Sequence, residues 1–86
     1  MAKKIEKKKE LDPRIKEIAK HIKYLREKAG YTNYENFAWE HEIGRMQYWN
    51  IEKGSNITLT TLFKILDAHK LSMAEFFTPI TQNQNS

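Results

Sequence analysis

Arg45, Met46, Gln47, Trp49 and Asn50 stand within six positions near the middle of the chain, interrupted by Tyr48. A guanidinium is a rigid fork of N–H donors, and the carboxamides of Gln47 and Asn50 each carry a donor and an acceptor. Met46 adds a flexible apolar tip. Together they suit a surface that presents paired polar edges and scattered methyl groups. The major groove of a duplex is such a surface. Guanine O6 and N7 match an arginine fork, adenine N6 and N7 match a carboxamide, and thymine exposes a methyl. Arg45, Met46, Gln47 and Asn50 are therefore the candidate base-reading residues. Trp49 either lies along a phosphate or sugar, or covers the outside of the domain or a dimer contact.

Other chemistry finds less support. His41 lies between Glu40 and Glu42, which invites acid–base work, but neither a nucleophile nor a phosphate loop accompanies it. His21 and His69 lack metal-ligand spacing. The chain has no cysteine, which excludes disulfides and thiolate metal sites. An enzyme, a cofactor and a metal are not expected.

Five helices have to position these side chains. Asp12 as N-cap and Pro13 at the first helical position open a helix whose apolar stripe is Ile15, Ile18, Ala19, Ile22, Leu25 and Ala29. Gly30 ends it. Thr32 and Glu35 form a capping box for a second helix starting near Asn33, with Phe37 and Ala38 inward and an end near His41. The third helix, about 45–52, has Gly44 as cap, Tyr48 and Ile51 inward and Gly54 as stop. Thr58 caps a fourth helix with Leu59, Leu62, Phe63 and Leu66 on one face. Ser72 and Glu75 cap a short fifth, carrying Met73, Phe76 and Phe77. Phe76, Phe77 and Ile80 read as core and dimer seam, Trp39 and Tyr34 as packing or partner surface. No stretch has the alternation of a strand. The domain spans 12–78, between a basic disordered arm (1–11) and a polar disordered tail (79–86).

Eighty-six residues form one small domain. The first ten residues hold five lysines against two glutamates, three of the four net positive charges, leaving the rest near neutral. Such an arm supplies non-specific attraction to nucleic acid or is simply solvated. No apolar run reaches the roughly 18 residues of a membrane span, and no apolar core of a secretory signal follows the basic start. A cytoplasmic protein without membrane contact is expected.

A turn of about four residues, His41 to Gly44, joins the second and third helices, the arrangement of a helix-turn-helix. Three pieces in order, "IKYLREKAGYT", "FAWEHEIGRMQYWNIEKG" and "TLTTLFKILDAHKLSMAEFF", resemble the phage repressor and Cro-type family, the xenobiotic-response-element family. The likeness runs from about Ile15 to Phe77. It implies an all-α, compact five-helix lambda-repressor-like domain. It also implies that Arg45, Met46, Gln47 and Asn50 read bases behind the Gly44 cap. Thr32 and Asn33 fall where free backbone N–H groups at the start of the second helix meet phosphate. Lys53, Ser55 and Asn56 fall on the loop beside the DNA backbone, with Gly44 and Trp49 also near it. Arg26 and Glu52 fall on a structural ion pair. Glu42 stands where the family's turn has glycine, so the backbone there is strained or reshaped. Gly44 replaces the usual Ser or Thr cap.

The function implied is a sequence-specific, double-stranded DNA-binding transcriptional regulator acting as a homodimer and repressing by occupancy. An antitoxin that binds its own operator is a close variant. A protein-interaction module on the same fold, binding a partner through Trp39, Trp49, Tyr34 and Phe77, is the alternative.

Overall fold

The computed structural model describes residues 11–85; the basic arm thus lies outside the described residues, apart from Leu11. Five helices follow one another: α1 (Pro13–Lys28), α2 (Tyr34–Glu40), α3 (Arg45–Glu52), α4 (Leu59–His69) and α5 (Met73–Asn85). Among the described residues there is no strand. None of these helices is long and apolar enough to cross a membrane.

Local chemistry sets most boundaries. The Asp12 carboxylate accepts from the Arg14 amide at 2.8 Å and starts α1. Gly30 takes φ +98°, which lets the Gly30 and Tyr31 amides fold back onto the Glu27 and Arg26 carbonyls. Thr58 Oγ1 accepts from the Thr61 amide at 3.2 Å and starts α4. Ser72 and Glu75 exchange side-chain-to-amide bonds of 3.1 and 2.8 Å at the head of α5.

All five helices feed one core. Ile22 of α1, Phe37 of α2, Tyr48 of α3, Ile65 of α4 and Phe76 of α5 are each at most 1% exposed. Ile43, in the α2–α3 connection, joins them.

Four expectations need correcting. The cap of α2 is Asn33, not Thr32: Asn33 Oδ1 accepts from the Glu35 and Asn36 amides at 2.6 and 3.3 Å. An asparagine can fold onto the next turn directly, and the Glu35 carboxylate is engaged elsewhere. On α4, Leu59 and Phe63 are 67% and 43% exposed, whereas Thr61 and Ile65 are buried. The helix is rotated so that Leu62, Ile65 and Leu66 enter the shared core, and Thr61 Oγ1 accepts from Gln47 Nε2 of α3. Ala29, the C-cap of α1, is exposed, while Arg26 is buried on that helix's inner face. Lastly, the end at residue 78 falls too early. α5 continues through Pro79 to Asn85, and Ile80 is 6% exposed in the core. A buried isoleucine one residue beyond the proline gives the helix a reason to continue.

Candidate nucleic-acid interface

The inner side of α3 is Tyr48 and Ile51, both buried. Arg45, Met46, Gln47, Trp49 and Asn50 consequently point outward and are exposed. Gly44 caps α3 with no side-chain hydrogen bond. Glu42, in the preceding turn, takes φ +59°, the left-handed conformation a glycine would adopt freely. The Ile43 amide bonds the Ala38 carbonyl across this turn at 2.9 Å, and Lys64 Nζ donates to the Glu42 carbonyl at 3.1 Å.

The inner end of α3 is clamped. Arg26 Nε and Nη2 donate to the two Glu52 carboxylate oxygens at 2.7 and 3.1 Å. Arg26 Nη1 donates to the Tyr31 carbonyl at 2.7 Å. The pair is almost wholly buried, with side chains 5% and 8% exposed. It ties α3 to α1 and to the loop before α2. The buried Tyr48 hydroxyl lies beside it without a well-aligned hydrogen bond. Burial, then the Glu52 carboxylate, pushes that phenol far above its usual range, so it stays protonated.

The outer end is organised too. Arg45 Nη1 meets Glu35 Oε2 at 2.9 Å, which sets the first turn of α2 directly beside the first residue of α3. Gln47 Nε2 donates to Thr61 Oγ1 on α4 at 3.0 Å. Two of the four candidate base readers are thus held by their own fold, while Met46 is 55% exposed. Lys53 Nζ lies 5.2 Å from the Trp49 ring centroid, a cation–π contact at the exit of α3. Ser55 and Asn56 are exposed on the following loop, and Thr32 is exposed ahead of α2. The free N–H groups expected around Thr32 and Asn33 are partly used: Asn33 itself covers those of Glu35 and Asn36.

Two contributors escape a reading of the sequence. Glu35 holds Arg45 from ten positions away, and Thr61 holds Gln47 from fourteen. Neither spacing lies within one helix, so no periodicity signals it; only the opposite charges of Glu35 and Arg45 hint at a pair. Trp39 is 84% exposed, at the rim of a groove of about 420 Å³ shared with Glu35, Asn36, Ile43 and Arg45. Among the described residues no group of His, Asp and Glu could hold a metal ion.

Comparison of the chain with protein-family models, with curated proteins and with solved structures found no match.

Proposed function

We propose that this chain is a sequence-specific, double-stranded DNA-binding regulator of the lambda-repressor-like helix-turn-helix type, working as a homodimer that represses by occupying its site. α3 enters the major groove, and Arg45, Met46, Gln47 and Asn50 meet base edges. Thr32, Asn33, Gly44, Trp49, Lys53, Ser55 and Asn56 border the sugar-phosphate strands. The observation that carries this reading is the Glu35–Arg45 contact of 2.9 Å. It brings the head of α2 and the head of α3 to one side of the molecule, so one duplex can touch both. A groove about 12 Å wide accommodates one such helix.

Selection of bound sequences from a random duplex pool tests it. The expected product is a two-fold symmetric site with half-sites about one helical turn, 34–36 Å, apart. Affinity for it falls steeply with salt, because each neutralised phosphate releases counterions. Asn50→Ala costs about 1–3 kcal/mol on that site and little on random DNA. A pool that yields no enriched sequence, or equal weakening on both DNAs, sinks the reading.

A second reading, a protein-docking module on the same fold, is favoured by the exposed Trp39. On that reading the pool enriches nothing, and duplex binding is weak.

A further inference from the structure

We infer that Thr61 is a specificity-determining positioning residue. It fixes the polarity of the Gln47 carboxamide, so that Gln47 selects a base with a major-groove amino group, adenine or cytosine, over the keto bases guanine and thymine. The inference rests on the duplex-binding reading above.

A glutamine carboxamide has nearly the same shape at its oxygen and nitrogen ends but opposite hydrogen-bond polarity. Free in solvent, it can turn over and meet either an amino or a keto group. Gln47 is exposed, yet its Nε2 is bonded to Thr61 Oγ1 at 3.0 Å. Thr61 is itself 7% exposed and belongs to the first turn of α4. Its oxygen also lies 3.0 Å from Thr58 Oγ1, the donor in that contact. Thr58 Oγ1 accepts from the Thr61 amide, a bond whose direction cannot reverse. Thr61 Oγ1 thus stands at the cap of α4 as the acceptor of the Gln47 Nε2 proton.

With its nitrogen held, the carboxamide leaves its oxygen forward. Gln47 Oε1 lies 3.6 Å from where a Cβ on Gly44 would stand, toward the start of α3. The N-terminal half of a recognition helix is the part that reaches base edges. Adenine N6 and cytosine N4 are donors there, whereas guanine O6 and thymine O4 are acceptors. A fixed Oε1 pairs with the former and opposes the latter, leaving two acceptors face to face without a proton.

Site selection from a random duplex pool, run in parallel on wild type, Gln47→Ala, Thr61→Val and Thr61→Ser, tests this. Gln47→Ala identifies the half-site position that Gln47 reads. Wild type holds adenine or cytosine there. Thr61→Val removes the hydroxyl at nearly constant volume and admits guanine and thymine at that position, lowering the preference roughly tenfold. Thr61→Ser restores it, and the other positions keep their bases in all four proteins. In the free wild-type protein, the Gln47 side-chain amide protons show shifted, exchange-slowed NMR signals. Random-coil signals there overturn the inference without any variant. A retained amino preference in Thr61→Val, uniform weakening at every position, or guanine or thymine at the wild-type position overturns it as well. In each of those cases the enriched site still stands and the duplex reading survives. If wild type enriches no sequence, the duplex reading falls and takes this inference with it.

Discussion

Truncating Glu52 to alanine would strand the Arg26 guanidinium in the interior. Its side chain is 5% exposed, and two of its donors face that carboxylate. Breaking a buried pair from one side costs about 3–5 kcal/mol, because the remaining charge keeps its desolvation penalty. We expect that loss for Glu52→Ala in denaturant unfolding. The paired change Arg26→Met with Glu52→Leu costs much less, since apolar groups can fill the same space. A loss under about 1 kcal/mol for the single change would contradict the clamp. The Arg26–Glu52 contact was expected from a family likeness, and its two members lie 26 positions apart. The Glu35–Arg45 and Gln47–Thr61 contacts had no comparable signal.

At the level of elements, the turn and the last helix make opposite demands. Glu42 occupies left-handed backbone at φ +59°, which costs a non-glycine residue about 1–2 kcal/mol. Glu42→Gly removes that strain but makes the unfolded chain freer, so we expect a net gain of about 1 kcal/mol or less. A fall in melting temperature would argue against strain in the turn. α5 is the element that composition misjudged. Its polar end and Pro79 read as an unfolded tail, although Ile80 within that stretch read as core or dimer seam; Ile80 is 6% exposed in the core and the helix runs on to Asn85. Ile80→Ala should cost about 2–5 kcal/mol in equilibrium unfolding, as truncations at packed positions do. A residue in an unfolded tail would show almost no change. The face of α4 went astray for a related reason. Leu59, Leu62, Phe63 and Leu66 have helical spacing, and so do Leu62, Ile65, Leu66 and His69. Periodicity cannot choose between two overlapping stripes; the packing of Leu62, Ile65 and Leu66 into the shared core does.

Across the whole molecule, three histidine rings line the aromatic part of the core. Phe37 stacks on His69 with centroids 5.2 Å apart and touches His41 at 4.5 Å, while His21 meets Phe76 at 5.2 Å. Burial pushes the His69 imidazole below its ordinary range, with the charges of His41 and His21 adding to it, and burial lowers His21 as well. His69 Nε2 is buried without a hydrogen-bond partner. The unfolded chain therefore takes up protons near pH 6.5 that the folded chain refuses. The contribution is complete above the unfolded value and is lost as pH falls through 6.5 toward the depressed folded values. Denaturant midpoints should fall between pH 7 and pH 5. His69→Phe should flatten that fall, and an unchanged slope in this variant would remove His69 as its source.

The sequence by itself determined five helices and most of their ends. Caps and stops are local chemistry, carried by Asp12, Gly30, Gly44, Gly54, Thr58 and the Ser72–Glu75 pair. It also determined that α3 buries Tyr48 and Ile51 and turns its polar side outward, because a helix has one inward face. Tertiary structure alone decided which stripe of α4 is buried, that α5 continues past Pro79, and that Glu35 and Thr61 restrain Arg45 and Gln47. Those outcomes depend on distances between segments far apart along the chain, and a linear pattern holds no record of how two helices pack.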